Sequence, residues 1–208
     1  MNHAVIDLSE NFLRLGLKDN SGTWREESEP MRGRESSRLA AKVIARLEEW
    51  GCRIEDIQAW TVGSGPGNFT GLRMAAAFVA GIAAVRRDII VRNVPSACMF
   101  SGLLPDGTPV PAAVVYDGKN SELVIYRTDT GKGYVCPREE AAGLVAGWEG
   151  ISFCTPGADA DIVRSVLTDI AANISVPVPE LRVLADSTLP FTGRVSDLEY
   201  IRPAVRPH

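Results

Sequence analysis

An α/β fold in two lobes is what this sequence predicts, and three observations carry the expectation. Strand-like and helix-like periodicities alternate along the first half. A proline- and glycine-rich stretch, SGLLPDGTPVP, then interrupts the pattern, and a second hairpin opens the other half as one opens the first. A chain of 208 residues has room for one large domain or two small lobes. The composition break places the boundary near Pro105, separating 1–104 from 105–208.

The elements follow in order. HAVIDLSENFLRLGLKD reads as two strands, Ala4–Asp7 and Phe12–Leu17, and the DNSG turn leads to a third at Thr23–Ser28. Leu39, Val43, Ile44 and Leu47 recur at helical spacing, with Ser36 or Ser37 as cap and Gly51 as stop. Ala59–Val62 is a buried strand. A glycine-rich loop then leads into a helix from about Thr70 to Val85, whose apolar face is Leu72, Ala75, Phe78, Val79 and Ile82. A strand at Ile89–Val94 completes a β-β-β-α-β-α-β lobe. The second half offers strands at Ala112–Tyr116, Glu122–Arg127 and Gly133–Cys136, a helix at Arg138–Ala146 and a strand at Ile151–Thr155. One long helix through GADADIVRSVLTDIAAN follows, aligning Ile162, Val166 and Ile170. The repeated order of elements is a faint sign of internal duplication.

Composition limits the chemistry. A net charge of -4 gives no electrostatic footprint for nucleic acid, so any RNA is expected to be held by a partner. No signal-like start or membrane-length apolar run occurs, and a cytoplasmic protein is expected. Cys52, Cys98, Cys136 and Cys154 form no CxxC pair and read as small buried hydrophobes. The two histidines are His3 and His208, which exclude paired-histidine metal motifs and leave a Ser-His-Asp triad only a terminal residue to recruit.

The loop Thr61–Arg73, TVGSGPGNFTGLR, invites a phosphate reading that its spelling does not support. A P-loop needs a lysine, and none is present. A dinucleotide fingerprint needs a third glycine where Asn68 stands, after a βαβ start that the meander does not provide. A helix N-terminus with Asn68, Thr70 and Arg73 could still hold an anion. The plainer reading is geometric: Gly63, Gly65, Gly67 and Gly71 permit a tight turn, Pro66 stiffens it, Asn68 or Thr70 caps the helix, and Phe69 anchors it from beneath.

These residues also carry a resemblance. TVGSGPGNFTGLRMAAAFVAGIA resembles the TsaB (YeaZ) family signature, close to GxGPGSFTGxRxG followed by a helix. It matches at Gly63, Gly65, Pro66, Gly67, Phe69, Thr70, Gly71 and Arg73. Collinear matches occur at Ile6, Asp7 and Ser9; at Val94 and Ser96; at Asp117, Glu122 and Val124; and at Tyr200 and Arg202. Departures are Leu8 for threonine, Glu35 for histidine, and Gly118-Lys119 for Ala-Arg.

The resemblance implies a two-lobed actin-like, sugar kinase-like ATPase (ASKHA, RNase H-like) fold with mixed sheets flanked by helices. It implies a non-catalytic subunit in threonylcarbamoylation of adenosine 37 of tRNA, without cofactor, metal or catalytic residues of its own. That subunit would bind a TsaD-like enzyme, with a TsaE-like ATPase in the complex, touch tRNA only through the complex, and form homodimers when alone. The implied surface is helical: Ser36, Leu39 and Val43 from the first helix, and Thr70, Arg73, Met74, Ala77, Ala80 and Gly81 from the second. Small residues there permit close helix contact. Nucleotide-binding relatives of the wider fold carry a glycine after the first aspartate, whereas Leu8-Ser9-Glu10 follows Asp7 here, making Asp7 a turn residue. A nucleotide-dependent ATPase or kinase of the same fold, and a homodimeric binding module unrelated to tRNA, stay open as alternatives; a peptidase is disfavoured by the histidine count.

Overall fold

Leu13, Leu15 and Leu17 alternate with Arg14, Gly16 and Lys18, the period of a strand with one face on a core. The computed structural model describes residues 1–31 and 33–192, with Arg34 and Ser36 described by their backbone alone. In it β1 (His3–Asp7), β2 (Phe12–Lys18) and β3 (Trp24–Pro30) form an antiparallel meander. A 3-10 turn at Gly33–Arg38 leads into α1 (Leu39–Glu49). The expected serine cap is replaced by Arg38 at the N-cap position, without a side-chain bond. At the other end Gly51, with φ 75°, lets the chain leave the helix.

β4 (Ala59–Gly63) pairs parallel to β1, and β5 (Ile90–Val94) parallel to β4, with α2 (Phe69–Val85) as the connection. The resulting sheet has the order β3-β2-β1-β4-β5. One of its faces, through Ile6, Leu8, Leu15, Trp60, Val62 and Val91, packs against Leu39, Val43 and Leu47 of α1 and Ala75 and Val79 of α2. Trp60 is fully buried and meets the edge of Phe78 at 5.9 Å. Each such large apolar side chain contributes about 1.5–3 kcal/mol of burial.

The short helix α3 (Cys98–Ser101) precedes β6 (Ala112–Asp117), β7 (Glu122–Arg127) and β8 (Lys132–Pro137), a second meander. α4 (Arg138–Val145), β9 (Ser152–Cys154), α5 (Ala160–Val166) and β10 (Ile174–Ser175) complete the second sheet, whose order is β10-β9-β6-β7-β8. Read from the meander inward, both sheets have one plan: three antiparallel strands, then two parallel ones. The repeat faintly visible in the order of sequence elements is therefore a repeat of topology.

The long helix expected over GADADIVRSVLTDIAAN is broken. Leu167 adopts φ -97°, ψ 55°, between α5 and a 3-10 turn at Thr168–Asn173. The break turns Leu167 into the core beside Val163 and Ile174. Among the described residues the chain divides into two units, 1–96 with 181–192, and 97–180. Composition points to Pro105, the most proline-rich stretch, whereas this division falls earlier and a last helix, α6 (Arg182–Asp186), returns to the first unit.

Leu47 has no exposed surface, so Leu47→Ala is expected to lower stability by about 3 kcal/mol in urea unfolding through lost burial and a cavity.

Candidate partner surface and the loop that sets it

The glycine loop lies against the turn that joins β1 to β2. The Asn68 amide donates to the Ser9 carbonyl at 2.5 Å. A Cβ at Gly67 would overlap the Ser9 carbonyl, one at Gly71 the Leu8 carbonyl, and one at Gly63 the Asp7 carboxylate. Glycine is needed here because backbone approaches backbone. The Gly65–Pro66 peptide is cis.

Asp7 is the anchor of this contact. It is fully buried, and its Oδ1 accepts from the Ser9 amide at 3.0 Å and the Ser9 hydroxyl at 2.7 Å. Its Oδ2 accepts from Ser96 Oγ at 2.5 Å, and Ser96 Oγ in turn accepts from the Gly65 amide at 2.9 Å. Arg14, its register partner across β1 and β2, sits 3.7 Å away and also pairs with Glu10. Asp7 is thus the turn residue its sequence context predicts, and Ser96, nearly ninety positions distant, is its partner.

Phosphate cradles need free amides and positive charge. The Ser64, Gly65, Asn68, Gly71 and Leu72 amides are all engaged within the protein, the last two by Asn68 itself. Asn68 is the N-cap, its side chain accepting from Gly71 at 3.4 Å. The groove beside the loop, about 460 Å³ in volume, is walled by Leu8, Asn11, Met31, Thr70 and Met74, and among the described residues the charged one lining it is the acid Glu10. Phe69 does not anchor the helix from beneath as its apolar character suggests; it is half-buried, with the Arg73 guanidinium 3.9 Å above its ring.

α2 has two faces. Leu72, Ala75, Ala76 and Val79 are buried, with Met74, Phe78 and Ile82 partly buried against the core. Thr70, Arg73, Ala77, Ala80, Gly81 and Ala84 are exposed, and at helical spacing they form one stripe ending at Val85, which is 80% exposed. Of the first-helix residues expected to face outward, Leu39 and Val43 do not: both are buried in the chain's own core. Their helical periodicity reported the core, while α1 exposes Ala40, Ala41 and Ala45 beside them. The Ser36 side chain, like Tyr200 and Arg202, lies outside the described residues.

The Asp117 carboxylate accepts from the Lys119 amide at 3.0 Å and from Arg138 at 2.8 Å. It holds a hairpin turn in which Lys119, Asn120 and Ser121 all have positive φ. All four cysteines are free and buried, and burial pushes the Cys98 and Cys154 thiols up to about 12. Among the described residues no group of three or more His, Cys, Asp or Glu could hold a metal, and no helix is long and apolar enough to cross a membrane.

Paired five-stranded mixed sheets of one plan, flanked by helices, define the actin-like, sugar kinase-like class of fold. The chain belongs to the TsaD family, tRNA N6-adenosine threonylcarbamoyltransferase, whose model matches residues 32–145, more than half of its length. Within that class its fold is that of YeaZ. It is similar to YeaZ from Pseudomonas aeruginosa at 20% identity over 89% of each chain, with a TM-score of 0.67. It is equally similar to an uncharacterized protein with similarity to peptidase YEAZ from Pseudomonas aeruginosa, at 20% identity over 88% of each chain, TM-score 0.68. Ethanolamine utilization protein EutJ from Carboxydothermus hydrogenoformans shares the fold more distantly, at 11% identity over 90% of this chain and 88% of its own, TM-score 0.51. Comparison with curated protein sequences gives no match. The family model and the YeaZ fold together support a TsaB/YeaZ-type member with a role in threonylcarbamoyl modification of tRNA.

Two glycines of α2 should respond oppositely to one methyl group. Gly71→Ala meets the Leu8 carbonyl and is expected to cost about 2 kcal/mol. Gly81 has nothing near it, so Gly81→Ala is expected to add up to about 1 kcal/mol through helix propensity. Thermal unfolding of the two variants checks both signs.

Proposed function

We propose that this chain is a non-catalytic partner subunit that binds a TsaD-like enzyme and supports threonylcarbamoylation of the adenosine next to the anticodon. The observation that carries the reading is the exposed face of α2: a stripe of alanines and a glycine, flanked by Arg73 and Val85, on a helix whose other face is fixed in the core. An apolar stripe of this kind marks a surface that another helix can approach closely. Ala40, Ala41 and Ala45 of α1 extend the set of small exposed residues.

The loop supports the same reading. The amides of Gly65, Asn68, Gly71 and Leu72 bond to Ser96, Ser9 and Asn68, and the first aspartate is enclosed by Ser9, Ser96 and Arg14. Those contacts hold the loop in shape, which supports a structural role for it. In this reading the chain acts in the cytoplasm, a TsaE-like ATPase joins the complex, tRNA is contacted through the complex, and the isolated chain pairs with itself through the same face.

Co-purification with the TsaD-like protein of the same organism tests this. Wild type is expected to co-elute at micromolar concentration, with Ala77→Arg and Ala80→Arg folded but binding at least about 100-fold more weakly, as for burying an unpaired charge. Arginine variants that bind as wild type would remove the surface, and the lack of any complex with or without Mg-ATP would remove the function.

A further inference from the structure

The sheet face opposite α1 and α2 carries a buried polar chain that neither the loop nor the partner surface uses. Arg92, on β5, is 3% exposed, and all its nitrogens have partners. Nη1 donates to the carbonyls of Ser187 at 2.6 Å and Leu189 at 2.7 Å. Nη2 donates to those of Leu184 at 3.1 Å and Ala185 at 2.7 Å, and Nε to Thr61 Oγ1 at 2.8 Å. Four main-chain carbonyls of one returning segment are thus held by one side chain. The segment adds no strand to the sheet. Phe191 lies 4.5 Å from the guanidinium and meets the edge of the His3 ring at 5.7 Å. His3 Nε2 is 2.8 Å from the same Thr61 hydroxyl that Arg92 reaches.

We propose that His3, Thr61 and Arg92 form a proton-operated latch on the segment Leu181–Phe191, closed while the imidazole is neutral and released when it is protonated. The Thr61 hydroxyl has one proton. It accepts from Arg92 Nε, and with the imidazole neutral and protonated at Nδ1 it gives its own proton to the lone pair of His3 Nε2. A protonated ring must itself donate to Thr61, whose fully buried oxygen then accepts from two cations. It also sets a second cation one hydroxyl away from Arg92.

Among the described residues the neighbouring charges do not offset that cation. β2 presents Lys18, the register partner of His3, and β5 presents Arg92. β4 offers Thr61 alone. α6 offers Asp186, which already pairs with Lys18 at 3.0 Å and Arg182 at 3.0 Å. Burial, with the Arg92 and Lys18 charges, lowers the His3 pKa from 6.5 to about 4. The folded value lies below the free one, so the released state binds more protons between those limits. The latch is therefore fully closed above the free value and weakens as pH falls from 6.5 towards 4. By linkage, release becomes more favourable as pH falls from roughly 7 to 4.5, by at most about 50-fold, the limit at which the released imidazole regains its free value.

Hydrogen–deuterium exchange of the whole chain, corrected for intrinsic rates, reads this directly. Between those two pH values, opening of 181–191 is expected to rise by about 5- to 50-fold in wild type and less than about 2-fold in His3→Gln, while β1 and β4 stay protected. The same rise in His3→Gln, or equal loosening of the whole first unit, would overturn the latch. Imidazole NMR supplies a second arm that needs no variant, because His3 and His208 are the only histidines. His3 is expected to titrate near 4, and titration near 6.5 with 181–191 still protected would equally overturn it.

Discussion

The contact between the glycine loop and the β1–β2 turn is the constraint on which the first unit depends. Leu8 and Ser9 present their carbonyls where Gly67 and Gly71 have no side chain, and the Asn68 amide closes the contact at 2.5 Å. Because Asn68 is also the N-cap of α2, the bond that docks the loop fixes where the helix starts. The direction of α2 then follows from Leu72, Ala75 and Val79 meeting the sheet, and its outward stripe follows from what remains. A side chain on either glycine would separate loop from turn before it disturbed any apolar contact.

Asp7 is a buried acid with its partners close at hand. A buried carboxylate is costly unless paired and hydrogen-bonded. Here Ser9, Ser96 and the nearby Arg14 provide for it, and Ser96 passes the restraint on to Gly65. The acid consequently ties three segments, the first turn, the glycine loop and the end of β5, into one corner. The other buried polar chain, Arg92 with Thr61 and His3, does for the returning segment what Asp7 does for the loop. Both lie on the sheet face away from α1 and α2, where polar cross-links add to the burial of Val5 and Val94.

Much of this was legible in the sequence, and the reasons for the gaps are physical. The strands were read from strict alternation, as in Leu13, Leu15 and Leu17, and the inner stripe of α2 from its helical period. The loop's spelling argued against phosphate because a missing lysine and a displaced glycine are local facts. Leu39 and Val43 were assigned to an outer surface although apolar periodicity in a single chain reports that chain's own core first. Partners such as Ser96 for Asp7, or Leu184 and Leu189 for Arg92, are not readable at all, since a side chain that bonds main-chain carbonyls leaves no pattern in the distant segment. His3 was visible only as one of two histidines, without its buried surroundings. Ile162, Val166 and Ile170 fit one continuous helix, and the turn at Leu167 follows from tertiary packing that no local period encodes.

In the proposed function a TsaD-like partner sits on the exposed face of α2. All four native cysteines are buried, so a single engineered thiol at Ala80 reports on that face alone. The measurement is the maleimide labelling rate of Ala80→Cys, at concentrations where the isolated chain is monomeric, with and without the TsaD-like protein. Slowing by at least about 10-fold on complex formation is expected, as for a site moving from solvent into an interface core. An unchanged rate in a sample where the complex has demonstrably formed would contradict it and place the partner elsewhere on the molecule.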